Sequence, residues 1–425
     1  MFIRRTENNW FTKWWLGVDK VVLFAVLTLI IFGILIQFAA SPYQARRTNL
    51  SDEYHFVKNI GMYVLPGIFG MILVSSMKLK TIRKLTVISF IPACLLLAIT
   101  LFFSKAKGAN RWIDFGIIKI QPSEFLKPVF AIVVAMILVR IKDLHNKINV
   151  MEKNNGIKKR NTIYATVLDV ISFIPVIFYN IYLLIRKKKK IKKELSEIEI
   201  LEKRKNRYIS LLIYIFVFIC MLLIAQPDVG MTATFSIIFL SEIFVAGISW
   251  ILVFALLGLG GFGLLLAYEF LPHFTHRVNQ FLTNDNYQLR KALDAIKESN
   301  FLFGGHTNNL KTVVPDIHTD FIFAAVIEEV GPILSILIIM VFLTLITYIL
   351  YKLKSKTDSF VIFSGIGIIS YVVFQIMFNL SSTLGIIPTK GTTLPFISYG
   401  GSSFVSSCFA IGIILSLLQD QNLRR

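Results

Sequence analysis

Long apolar stretches dominate the chain, and short polar or charged runs separate them. A helix needs about 20 mostly apolar residues to cross a bilayer, so each such stretch predicts a membrane-spanning helix. The pattern predicts ten spans, at approximately 21–40, 60–77, 85–103, 123–141, 209–226, 231–247, 250–270, 321–350, 360–380 and 402–418. Because the number of spans is even, both termini are expected on the same side of the membrane.

The distribution of basic residues orients these spans. Of the 45 Lys and Arg residues, 31 lie in segments on the side of the N-terminus and 14 on the opposite side. Cytoplasmic loops carry the excess of basic residues, so both termini are predicted to be cytoplasmic. The large loop 271–320, between spans seven and eight, is then extracytoplasmic, together with loops 104–122 and 382–401. The predicted fold is an all-α polytopic membrane protein, with one integral membrane domain over residues 1–425.

A basic insertion at 142–208 complicates this topology. Within it, residues 162–185 are apolar enough to span, but basic clusters flank both ends and Pro175 interrupts helical hydrogen bonding. We therefore expect a re-entrant or interfacial element, because a true crossing would invert everything downstream. The charge of the insertion favours a solvated loop near anionic cytoplasmic lipid, and a site for a specific partner is the alternative.

Composition narrows the class of protein. Hydrophobic residues make up 55% of the chain and charged residues 16%, whereas soluble domains average about 45–50% and about 25%. A single soluble domain and a disordered chain are thereby excluded. The net charge of +20 is attributed to membrane topology, with no nucleic-acid partner. Three cysteines in apolar runs give no disulfide framework, and the absence of Walker, HExxH and GxSxG motifs argues against a pump or a soluble-type hydrolase.

Ionisable residues beside the spans are the candidates for chemistry, because such groups are costly in a membrane. In QPSEFLK, Ser123 is expected to cap a helix beginning at Glu124. Glu124 and Lys127 lie three residues apart, so they share a helical face and can pair. Such a pair is equally compatible with a structural role and with a direct substrate contact.

A single carboxylate between two apolar spans, Asp228 in AQPDVG, marks a helix break at the membrane surface. It is either a general base, favoured by partial desolvation, or the N-cap of the helix that starts near Met231. The long outer loop contributes Arg277 and a possible metal-binding pair, His318 and Asp320, which lacks a third ligand at fixed spacing.

A fourth polar cluster, PTKGTTLPFISYGGSS, precedes the last span. Its prolines and glycines predict an ordered, non-helical loop. Lys390 in this loop could meet a phosphate, although a rigid turn would need no such function. Together the clusters indicate an outward-facing, carboxylate-containing cavity with cationic groups suited to an anionic ligand.

Five stretches in order, GANRWIDFGIIKIQPSEFLKP, AQPDVG, YQLRKALDAI, VPDIHTDFIFAAVIEEVG and LPFISYGGSS, resemble the SEDS (shape, elongation, division and sporulation) family. They extend from Gly108 to Ser403, about 300 residues, and the division subgroup is the more similar one. The resemblance implies a peptidoglycan glycosyltransferase that polymerises lipid II at the outer face of the cytoplasmic (inner) membrane during septal synthesis. It also implies a class B penicillin-binding protein and other division proteins as partners.

The resemblance also assigns roles to residues. It implies that Asp228 is the catalytic base, which takes the proton from the acceptor sugar hydroxyl. Charge on the departing undecaprenyl pyrophosphate would be stabilised by cationic side chains or by a divalent ion, Mg²⁺ or Mn²⁺. The expected substrate-binding residues are Arg111, Gln121, Glu124, Lys127, Arg277, Lys390 and Ser398.

Two departures and two alternatives accompany this assignment. The glycine-rich stretch of the family is reduced here to Gly304-Gly305, and the basic insertion is unlike typical members. A flippase that moves lipid II without making a bond, or an elongation polymerase of the same family, are the alternative functions. Polar groups confined to the outer face favour the enzyme over the flippase.

Overall fold

The computed structural model is built mainly of helices. It describes residues 10–49, 51–102, 111–114, 116, 119–155, 197–247, 250–283, 285–299, 317–389 and 391–419. The helices are α1 (Trp10–Gly17), α2 (Lys20–Arg47), α3 (His55–Ser75), α4 (Leu79–Ile99), α5 (Pro122–Asn154), α6 (Glu197–Ala225), α7 (Val229–Val245), α8 (Trp250–Phe270), α9 (Pro272–Leu282), α10 (Tyr287–Glu298), α11 (Ile322–Lys354), α12 (Ser359–Thr383) and α13 (Gly401–Leu418).

A helix lies at each of the ten places where the sequence predicts a span. Among the described residues, seven helices are long and apolar enough to cross a membrane: α2, α3, α4, α6, α11, α12 and α13. The helix α7 is apolar but shorter. The apolar segment 162–185 and most of the basic insertion lie outside the described residues.

The structure adds one element that the sequence did not predict and corrects one local expectation. The added element is a short hairpin before α5, in which β1 (Ile113–Asp114) pairs antiparallel with β2 (Lys119–Ile120). Ser123 does not cap α5, since that helix begins at Pro122 and its N-cap is Gln121. Proline has a fixed φ that suits the first helical position, so the helix starts one residue before the serine.

The helices α12 and α13 form the centre of the bundle. Their apolar windows are 67% and 83% buried, against 22% for α4 and α6, which therefore lie at the periphery. The helix α13 packs closely on α3, where a Cβ at Gly67 would lie 2.8 Å from the Phe404 ring. Polar loops between the helices meet at one end of the bundle, which we call the loop end. Its described residues are 111–114, 119–121, 226–228, 317–320 and 391–400.

Candidate functional site

Asp228 joins two helices at the loop end. Its side chain is 2% exposed and accepts a hydrogen bond from the Met231 backbone N–H, at 3.1 Å, as the N-cap of α7. The preceding Gln226 donates to the Leu97 carbonyl at 2.8 Å, which fixes the turn to the end of α4. The capping interpretation of Asp228 is therefore confirmed, while its role as a base stays a prediction.

Arg111 pairs with this carboxylate. Its Nε lies 3.1 Å from Asp228 Oδ2, and its Nη2 donates to the Pro227 carbonyl. The Arg111 side chain is 22% exposed, so the guanidinium remains partly accessible from the loop end. One guanidinium thus holds both the carboxylate and the backbone of the turn.

Arg277 and Asp320 complete what we call the charged cluster: Arg111, Asp228, Arg277 and Asp320. Arg277 lies on α9, outside the membrane-spanning helices, and interacts electrostatically with the other three. Partial desolvation by the surrounding protein and the neighbouring Arg111 charge lower the pKa of Arg277, and the two carboxylates oppose this shift. The residue keeps an exposed surface. An arginine in such a setting keeps its charge at neutral pH. The cluster therefore contains two cations and two carboxylates that influence one another electrostatically, with Arg111 and Asp228 in direct contact.

The two carboxylates of the cluster differ in access. Asp228 is buried, whereas Asp320 is partly exposed and follows the 317–319 turn. A Cβ added to Gly391 would lie 2.8 Å from Asp320 Oδ2, so this carboxylate lies directly against the backbone of the loop before α13. Sequence reasoning treated Asp320 only as a possible metal ligand or loop residue.

The Glu124–Lys127 ion pair lies deeper, between α5 and α12. Lys127 Nζ is 2.7 Å from Glu124 Oε2, and the two side chains are 3% and 6% exposed. The same Nζ donates to Gln375 Oε1 at 3.2 Å and lies 5.2 Å from the centre of the Tyr371 ring. The predicted pairing is confirmed. Both groups are enclosed by protein, so their predicted contact with substrate stays a prediction.

The remaining predicted residues are divided between the loop end and the part of the chain outside the described ranges. Ser398 accepts from the Leu394 N–H at 2.8 Å and donates to the Thr319 carbonyl at 2.7 Å, which joins the loop before α13 to the turn before Asp320. Gln121 N–H donates to Ser402 Oγ at 3.1 Å. Lys390 lies outside the described residues.

Two residues of the loop-end network were missed from the sequence. Gln375 and Asn379 are amides within an otherwise apolar span, four residues apart, and that spacing on one helical face was the available signal. Both side chains are buried at the end of α12 that meets the polar loops.

The described residues of the loop end do not fit a dedicated divalent metal centre. Mg²⁺ and Mn²⁺ prefer clustered oxygen ligands, mostly carboxylates. In the described ranges, no group of three or more His, Cys, Asp or Glu side chains could hold a metal ion. The two carboxylates of the charged cluster interact instead with guanidinium groups, so no reaction step is assigned to an ion.

Comparisons with known proteins agree with the resemblance. The cell cycle protein family FtsW/RodA/SpoVE matches residues 19–167 and 166–423. A probable peptidoglycan glycosyltransferase FtsW of Caulobacter vibrioides is 30% identical, over 98% of this chain and 93% of the relative. A protein of the same description from Escherichia coli O6:H1 is 26% identical, over 96% of this chain and 87% of the relative.

Solved structures share the fold. A chain from a peptidoglycan synthase complex, described as coordinating polymerization and crosslinking, has a TM-score of 0.66 at 20% identity and covers 95% of this chain and 98% of its own. The rod shape determining protein RodA of Thermus thermophilus has a TM-score of 0.61 at 19% identity, with 95% and 97% covered. The helical bundle and the full-length match together show that this chain belongs to the FtsW/RodA/SpoVE family of cell cycle proteins.

Proposed function

We propose that the chain is a peptidoglycan glycosyltransferase that polymerises lipid II at the outer face of the cytoplasmic membrane during septal cell-wall synthesis. The observation that carries the proposal is the charged cluster at the loop end of a membrane-helix bundle. The relatives named as probable peptidoglycan glycosyltransferases supply the substrate class.

The chemistry is transfer of a lipid-linked glycan to a sugar hydroxyl. The acceptor oxygen of incoming lipid II attacks the anomeric carbon of the growing chain, and the bond from that carbon to the pyrophosphate oxygen breaks. A carboxylate takes the hydroxyl proton, and undecaprenyl pyrophosphate leaves with the bonding electron pair. Arg111 and Arg277 suit the leaving group, because guanidinium groups bind phosphate oxygens in pairs and stay charged.

We assign the base to Asp320 and a positioning role to Asp228. A general base must come within about 2.6–3.2 Å of the proton that it removes. Asp320 is partly exposed, so a substrate hydroxyl can reach its carboxylate, whereas the Asp228 side chain is only 2% exposed. The sequence-based assignment of Asp228 as the base is the competing hypothesis, and matched variants of the two residues separate them.

The membrane arrangement that this reaction requires is part of the proposal. We infer ten spans with both termini in the cytoplasm, so that the loop end is extracytoplasmic; the asymmetry of 31 to 14 basic residues supports this orientation. The proposed site of action is the inner membrane at the division septum, in complex with a class B penicillin-binding protein. The likeness to a chain of a peptidoglycan synthase complex supports a partner of this kind.

Polymerisation of labelled lipid II in detergent tests the function. The purified protein with its transpeptidase partner is expected to produce glycan chains longer than one disaccharide. A flippase would give no product in this assay, because detergent contains no bilayer to cross and the protein would form no bond. Absence of polymer from well-folded protein with its partner would refute the enzymatic function.

A further inference from the structure

Two buried amides on α12 connect segments of the site that are distant in the sequence: the Glu124–Lys127 pair, Asp320 and the loop before α13. Gln375 and Asn379 are 6% and 0% exposed, and their spacing of four residues places them on one face of the helix. Each amide contacts the stretch Gly391–Thr393, which lies in the loop between α12 and α13.

Asn379 holds two backbone segments with one nitrogen. Its Nδ2 donates to the Asp320 carbonyl at 3.0 Å and to the Thr392 carbonyl at 2.6 Å. The Asp320 carboxylate lies against Gly391, the residue before Thr392. The main chain of Asp320 and the backbone that its carboxylate touches are therefore fixed by the same side chain.

Gln375 connects that stretch to the buried ion pair. Its Oε1 accepts from Lys127 Nζ at 3.2 Å, while its Nε2 donates to the Thr393 carbonyl at 3.0 Å and to Ser403 Oγ at 3.1 Å. Lys127 in turn pairs with Glu124. A continuous set of contacts thus extends from the ion pair, through Gln375, to the loop beside Asp320.

We propose that Gln375 and Asn379 are positioning residues for glycan transfer, which set the place of the Asp320 carboxylate relative to the Gly391–Thr393 stretch. The inference rests on the proposed role of Asp320 as the base. A neutral amide suits this position, because it satisfies buried carbonyl groups without adding a charge. A misplacement of about 1 Å in a reacting group can lower a rate about 100-fold.

Steady-state polymerisation by the full-length protein with its partner tests the proposal. Asn379→Ala is expected to lower kcat per folded molecule about 10- to 100-fold with KM within about twofold, and Asn379→Ser, which retains one donor, to recover part of the loss. Gln375→Glu keeps the acceptor for Lys127 but removes the donor to Thr393, so kcat should fall there too. The matched control is Ser364→Ala on the same helix, since the Ser364 hydroxyl has no hydrogen-bond partner among the described residues.

The outcomes separate this proposal from the proposed function. Wild-type kcat in Asn379→Ala, alongside an inactive Asp320→Asn, would overturn the positioning role and leave the base in place. A lower yield of folded protein with unchanged kcat per molecule would show a purely structural role and overturn it as well. Wild-type kcat in Asp320→Asn would refute the base itself, and the positioning role with it.

Discussion

Replacing Lys127 by methionine leaves the Glu124 carboxylate in the interior without its cation. The lost contact is short, 2.7 Å, and the side chains are only 3% and 6% exposed, so little water can take its place. Breaking a buried pair by removing one partner costs about 3–5 kcal/mol. That cost corresponds to a fall of about 150- to 4,000-fold in the folding equilibrium constant.

The double variant Glu124→Gln with Lys127→Met removes both charges and keeps the volume. Replacing both members of a buried pair is often nearly neutral, so most of the lost stability should return. Both variants remove the hydrogen bond from Lys127 Nζ to Gln375 Oε1. The cost of losing that bond is therefore the same in both and cancels from their difference in stability. The exposed Lys147→Met on the same helix is the matched control, with an expected change within about 0.5 kcal/mol.

Unfolding in mixtures of SDS and mild detergent, followed by proteolysis or circular dichroism, measures these differences. The expected order of stability is the wild type and the Lys147 variant, then the double variant, then Lys127→Met. If Lys127→Met unfolds together with the Lys147 control, the pair does not stabilise the bundle, and the account of the buried network is wrong.

Three further predictions follow from the loop end and the charge pattern. Gly391→Ala should lower kcat about 10-fold, because the new Cβ would lie 2.8 Å from Asp320 Oδ2. Gly61→Ala, where the added Cβ meets open space, is the control. If the two variants are equally active, the contact between residue 391 and Asp320 does not matter for the reaction. Arg111→Ala should reduce polymerisation more than Arg111→Lys, since only lysine keeps a charge beside Asp228, and equal loss would count against that role. Single cysteines near 190 and 421 should resist labelling from outside intact cells, whereas one near 308 should react; labelling at 190 would show that 162–185 crosses the membrane.

Much of the helical framework could be predicted from the sequence, because an apolar run of about 20 residues has few alternatives in a bilayer. A helix stands at each predicted place, although α5 runs from Pro122 to Asn154, well past the predicted end at 141. The break in α11 at Gly331, with φ 81°, was not foreseen. A glycine followed by Pro332 permits that backbone, but the pattern of apolar residues does not change there.

The site was harder to predict, since its contacts join distant parts of the chain. The Glu124–Lys127 pair is local, and helical spacing alone predicts it. The pairing of Arg111 with Asp228 and the contact of Asn379 with Asp320 depend on how helices pack, which periodicity does not report. The exposure of the two carboxylates is likewise visible only in the structure, where Asp228 is buried and Asp320 is partly exposed.

The identity of the base is the central claim, and paired variants in the lipid II polymerisation assay test it most directly. Asp320→Asn should be as abundant and as partner-bound as the wild type and should lose about 10²- to 10⁴-fold in polymerisation rate, the usual contribution of a general base. Asp228→Asn, which keeps the cap on Met231 N–H but loses the charge facing Arg111, should retain measurable polymerisation. Normal polymerisation by Asp320→Asn, together with an inactive but well-folded Asp228→Asn, would contradict the account and identify Asp228 as the base.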